Sequence, residues 1–222
     1  MPENPNGDRT NTRPGLVPEV VNVIADKGMM DMLADLGEGA LDLALDEGAL
    51  KEIPVVGSLV KLYKIGMGVK EHLFLKKLLR FLHQLYSVSD EDRERFREHL
   101  SENPKFRNNV GEKIILLLER ADEMEKADLI GKAFAAYLQG RIDYEQFMKM
   151  AAGIDRGLMS DLLQLARMDK SYLRTEEQWG TNLMAAGLMK LEVVSLYGGS
   201  CVSYSLNEAG KFVREICFSM KE

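Results

Sequence analysis

Residues 53–86 read IPVVGSLVKLYKIGMGVKEHLFLKKLLRFLHQLY, the most apolar and also the most basic part of a 222-residue chain. Lys61, Lys64, Lys70, Lys76, Lys77 and Arg80 face a single acid there, Glu71. Wound as a helix, Val69 to Tyr86 is two-sided: Phe74, Leu75, Leu78, Phe81, Leu82 and Leu85 share one face, while Lys76, Lys77, Arg80, His83 and Gln84 gather opposite. That pattern predicts a strong amphipathic helix. Burying its apolar face contributes about ten kcal/mol before chain entropy is set against it.

Working outward toward the N-terminus, Pro54 opens a helix from Val55 toward Ile65, with a bend at Gly66-Met67-Gly68. From Asp26 to Glu52 the charge reverses, with Asp26, Asp31, Asp35, Glu38, Asp42, Asp46, Glu47 and Glu52 against Lys27 and Lys51. An acidic amphipathic arm thus precedes a cationic apolar one. Gly28, Gly37 and Gly48 end or bend short helices here, and Gly39, Gly48, Gly57 and Gly66 recur at one spacing that helix punctuation explains. Val17-Pro18 begins a helix whose apolar face is Val20, Val21, Val23 and Ile24, and residues 1–15 read as a disordered tail.

Toward the C-terminus, Ser89 followed by Asp90, Glu91 and Asp92 is a helix start with a side-chain cap and acids in the first turn. Asn103-Pro104 restarts the chain into a stripe of Val110, Ile114, Ile115, Leu117 and Leu118, and Leu129 to Leu138 continues it. Gly140-Arg141-Ile142-Asp143 is a tight turn, with Asp143 capping a helix through Gln146 and turning Phe147, Met148 and Met150 inward. One further helix spans Asp155 to Met168. Residues 190–196 and 201–206 then alternate as two strands around Tyr197-Gly198-Gly199-Ser200, and Asn207 caps a last helix from Glu208 to Met220.

The fold class is mainly α: a multi-helix bundle at 16–168 containing the basic segment 53–86, followed by a small α+β unit at 169–222. Its core is expected to include Leu59, Leu62, Phe74, Leu78, Leu82, Ile115, Leu118, Phe134 and Leu138.

The sequence Gly187-Leu188, hairpin, Leu206-Asn207-Glu208-Ala209-Gly210 and helix resembles the closing half of a winged helix domain. That resemblance implies a groove-reading helix at Glu176 to Met189 and a wing that meets the nucleic-acid backbone. The helix offers Glu176, Glu177, Gln178 and Asn182, and the wing tip Leu196 to Ser200 has no cation, which turns the module toward protein contact or dimerisation. Trp179, Tyr197 and Tyr204 are its candidate partner-binding residues. Residues 136–147, AYLQGRIDYEQF, resemble bacterial helical domains of the tellurite-resistance B type, which implies a bacterial stress or phage-defence setting. Ile53-Pro54-Val55-Val56-Gly57 with the segment 74–82 is similar to uncharacterised bacterial proteins.

A net charge of -6 argues against general polyanion binding, so attraction to nucleic acid or anionic lipid must be local. Cys201 and Cys217 form no CxxC pair, and His72, His83 and His99 do not make a ligand set, the first two sharing a face with Lys76 and Arg80. The phosphate-loop, dinucleotide, nucleophile-elbow and HExxH signatures are missing from the sequence. The expectation is a non-enzymatic cytoplasmic protein with no catalytic, cofactor or metal residues, binding a protein partner or a second copy. The alternative is a conditionally membrane-active effector at the inner membrane, using Lys61, Lys64, Lys76, Lys77 and Arg80. DNA regulation by the winged-helix-like end ranks below both. The exposure of Phe74, Leu78, Phe81 and Leu82 separates these readings.

Overall fold

A computed structural model describes residues 15–26, 68–168, 172–174, 177–196 and 199–218. It is mainly helical with a small antiparallel sheet near the C-terminus. The elements are α1 Leu16–Ala25, α2 Val69–His83, α3 Asp90–Glu102, α4 Pro104–Arg120, α5 Met124–Leu138, α6 Tyr144–Arg156, α7 Met159–Ala166, β1 Tyr172–Arg174, α8 Gln178–Ala185, β2 Met189–Leu196, β3 Gly199–Leu206 and α9 Glu208–Phe212. The acidic arm beyond Asp26, the helix expected from Val55 to Ile65, the glycine spacing, and core candidates Leu59 and Leu62 lie outside the described residues, as does the tail before Gly15.

The amphipathic helix α2 sits at the centre, packed along α5. Phe74, Leu75, Leu78, Leu79, Phe81 and Leu82 are all buried, as are the remaining described core candidates Ile115, Leu118, Phe134 and Leu138. Phe134 is the hub of an aromatic cluster, with ring centroids 5.6 Å from Phe81, 5.9 Å from Phe96 and 5.1 Å from Phe147. Gly131 permits the close approach of α2's end to α5, because a Cβ there would stand 2.7 Å from the Phe81 carbonyl oxygen. The helix stops three residues before Tyr86 and tightens into a 3-10 turn, Gln84–Ser87, which buries Leu85 and leaves Tyr86 exposed.

Arginines close the end of α1. Its C-cap residue Asp26 is extended, and two of its last carbonyls are taken from α3: Arg93 donates to Ile24 O at 3.0 Å and Arg97 to Ala25 O at 2.5 Å. Arg93, itself buried, also donates to Leu85 O, so one guanidinium ties α1 to the end of α2. Cations at a helix C-terminus are further favoured by the macrodipole.

The caps read from sequence form. Ser89 Oγ accepts from Asp92 N at 3.2 Å, and Asp143 with Gln146 makes a reciprocal capping box, both bonds 2.8 Å. Between α5 and α6, Gly140 at φ 70 closes a Schellman motif in which Arg141 N bonds Ala136 O and Gly140 N bonds Tyr137 O. Phe147 and Met150 point inward as expected, whereas Met148 is half-buried at the margin.

Three boundaries depart from the sequence reading. The helix expected from Asp155 to Met168 starts later, at Met159, because α6 runs on to Arg156 and Gly157 adopts an extended conformation between the two. The helix after Asn207 is α only to Phe212 and widens into a π turn, Val213–Cys217. That turn brings the Cys217 carbonyl to Lys132 Nζ at 3.1 Å and its thiol to Leu129 O at 3.5 Å. The third departure is β1, which makes the sheet three-stranded in the order β1-β3-β2, antiparallel throughout. Residues from Leu16 to Cys217, sheet included, share one apolar cluster.

Candidate interaction surface

The hairpin is rooted by one residue. Helix α8 ends in a second Schellman motif, with Gly187 at φ 86, Gly187 N bonded to Met184 O and Leu188 N to Leu183 O. That turn drives the Leu188 side chain, fully buried, against Gly153 of α6, where a Cβ would lie 2.3 Å from its Cδ2. Leu188 O meets Gly210 of α9 from the other side, and a Cβ there would stand 2.0 Å away. Asn207 completes the root: its Nδ2 donates to Gly187 O at 2.8 Å, its N to Leu188 O at 3.2 Å, and its Oδ1 accepts from Gly210 N at 2.9 Å. The Leu-Asn-x-x-Gly sequence is therefore a packing device. Asparagine caps and tethers, and glycine leaves room for a backbone.

Above this root one face of the strands runs out of cover. The register pairs Met189 with Leu206, Leu191 with Tyr204 and Val193 with Val202, so these residues share one face of the sheet. At the base that face is buried: Met189, Tyr204 and Leu206 lie in the core. Farther out it is bare, with Leu191 49% exposed, Val193 71% and Val202 51%. On the other face Lys190 and Glu192 are exposed and form an ion pair, and the Lys190 ammonium holds the Glu192 carboxyl below the usual carboxylate range.

The sequence candidates separate accordingly. Trp179 on α8 is half-buried and packs on the core, leaving part of its ring available. Tyr204 is a correction: it is buried at the hairpin base and its hydroxyl lies 2.8 Å from Thr181 Oγ1, so it fixes β3 on α8 and has no surface for a partner. Tyr197 lies outside the described residues. Leu191, Val193 and Val202 were not singled out from sequence. Alternation marked their faces, but no sequence signal says where a strand passes the edge of its own core.

The would-be groove helix is shorter than expected, Gln178–Ala185, and carries no Lys or Arg. Its polar side chains are occupied at home, with Asn182 donating to Asp161 at 2.8 Å across to α7 and Thr181 bonded to Tyr204. Among the basic candidates, Lys61 and Lys64 lie outside the described residues. Lys76 is half-buried on the flank of α2. Lys77 donates to the Ala121 carbonyl, and desolvation lowers its pKa against the pull of Asp122 and Glu119. Arg80 grips Asp128 through two nitrogens, Nε at 2.9 Å and Nη2 at 2.5 Å from Oδ2, with Gln84 donating to the same carboxylate. Of the described cationic candidates, Arg80 is thus built into the α2–α5 contact and Lys77 is tied to the end of α4.

Remaining reactive groups are placed for packing. Burial pushes the Cys217 thiol up to about 12, and the His99 ring lies against Phe106 at 4.7 Å. Burial likewise raises Tyr137 to about 12. Among the described residues no group of three His, Cys, Asp or Glu side chains could hold a metal ion, and no helix is long and apolar enough to cross a membrane. Comparison with known protein families, with curated proteins and with solved structures returns no match, so the hairpin and its root stand on their own geometry.

Proposed function

We propose that the chain acts by protein contact, as a helical interaction or regulatory protein whose terminal hairpin is the contact element. The observation that carries this reading is the bare apolar strip Leu191, Val193 and Val202 on strands whose root is locked between two helices. A rigid apolar surface loses little conformational freedom when covered. A winged-helix likeness is supported by the strand order β1-β3-β2 and by a helix directly before the hairpin. Duplex reading is disfavoured by an α8 without cations and with its polar groups spent internally. The bacterial stress or phage-defence setting is carried by the resemblance of residues 136–147 alone. Membrane action would require α2 to leave the core, since the apolar face that would enter lipid is buried.

The test replaces Val193 in the full chain with a photo-reactive amino acid and irradiates living cells, with the same replacement at Leu116, 44% exposed on α4, as the control. Protein adducts from position 193 in excess of those from 116 are expected. Equal labelling at the two positions would overturn the contact reading. Co-sedimentation with anionic vesicles in place of protein adducts would favour the membrane reading.

A further inference from the structure

We propose that the occupant of the hairpin edge is a second copy of this chain, paired antiparallel with β2 about a two-fold axis at Leu191. This rests on the contact reading above and names its partner. Among the described strands β2 is an edge strand, since β3 lies between it and β1. Its pairing with β3 fixes which backbone groups face outward. Asn207 N bonds Leu188 O, so Leu188 opposite Asn207 is a hydrogen-bonded pair, and by alternation so are Lys190 with Ser205 and Glu192 with Ser203. Leu191 and Val193 therefore turn their N–H and C=O away from β3, toward the open edge.

Native sheets guard such an edge with proline, bulges or charged side chains. Strand β2 has neither proline nor a break in register, and its exposed charges are of opposite sign two residues apart, Lys190 and Glu192. That spacing is self-complementary in one register. With the axis at Leu191, each Lys190 stands directly opposite Glu192 of the second copy, in the closer, non-hydrogen-bonded type of pair. The two Leu191 residues then exchange backbone hydrogen bonds. Moving the axis one residue either way sets Lys190 against Lys190 or Glu192 against Glu192. Exposed ion pairs supply little affinity, so the charges select the register while backbone bonds and the contact between the Leu191 side chains hold it. The buried Met189 marks the inner end of the ladder.

The full chain is examined by sedimentation equilibrium over a concentration series. The expected result is a reversible monomer–dimer equilibrium. Leu191→Pro removes an outward N–H that the β2–β3 ladder does not use, and should give a folded monomer. Lys190→Glu and Glu192→Lys should each be monomeric alone, pair with each other when mixed, and dimerise again when combined in one chain. This charge series remains decisive if the proline variant fails to fold. A monomer at every concentration, or a dimer indifferent to the single charge changes, would overturn the proposal. If the chain is monomeric while position 193 still labels other proteins, self-pairing alone falls. If both are absent, the contact reading falls with it.

Discussion

Helix α2 and the β2–β3 hairpin carry the clearest apolar periodicities in their parts of the chain, and they meet opposite fates. Every residue on α2's apolar face is covered, because α5 lies along it and Gly131 lets the two backbones close up. The hairpin's apolar face is buried at its root, at Met189, Tyr204 and Leu206, and exposed at Leu191, Val193 and Val202. Periodicity states which side chains need cover. It does not state whether the same chain supplies it.

Truncation tests that contrast most directly. Leu82→Ala, at a fully buried site on α2, should cost about 2–5 kcal/mol in denaturant unfolding. Loss of less than about 1 kcal/mol would mean that α2 is not packed as described. Gly210→Ala comes next, since its new carbon would meet the Leu188 carbonyl. We expect about 1–3 kcal/mol of destabilisation, with loss of amide protection centred on 187–212. Arg80→Ala removes the two-nitrogen grip on Asp128 at the α2–α5 contact and leaves Gln84 donating to that carboxylate; with both partners keeping some exposure to water, it should cost about 1 kcal/mol.

Cys217 sharpens the comparison through pH. Its thiol keeps its proton in the folded chain up to about 12, whereas an ordinary thiol loses it near 9.0. Between those values the unfolded state binds fewer protons than the folded one, so stability falls as pH rises, by at most about 1.4 kcal/mol per pH unit from this group. Cys217→Ala should flatten that slope, and an unchanged slope would assign it to Tyr137 and other groups. The smallest effect belongs to the hairpin. Val193→Thr should change unfolding free energy by no more than about 0.5 kcal/mol while reducing self-association. A large loss of stability there would show that the strip is core after all.

Much of the frame was readable because its signals are local. The Asp143–Gln146 box, the Ser89 and Asn207 caps and the α2 stripe each depend on residues within a turn or two of one another. What escaped depends on distant partners. Strand β1 has three residues, too few to show a period, and is organised by pairing Leu173 with Tyr204. The junction between α6 and α7 falls at Gly157, just past the start expected at Asp155, and no proline fixes its position. An aromatic on a strand beside a turn reads as a contact residue, yet cross-strand register sets Tyr204 beside Leu191 and over Thr181 at the hairpin base. Arg80 and Lys77 looked like a free cationic face because Asp128 and the Ala121 carbonyl lie more than forty positions downstream.

The seat of Leu188 has a mechanical consequence. With Leu188 clamped between Gly153 and Gly210 and no space for one more carbon on either neighbour, the strands leave the body from a tightly packed foot. A pull on the tip is passed directly to α6 and α9, so anything that grips the hairpin also steers the frame behind it.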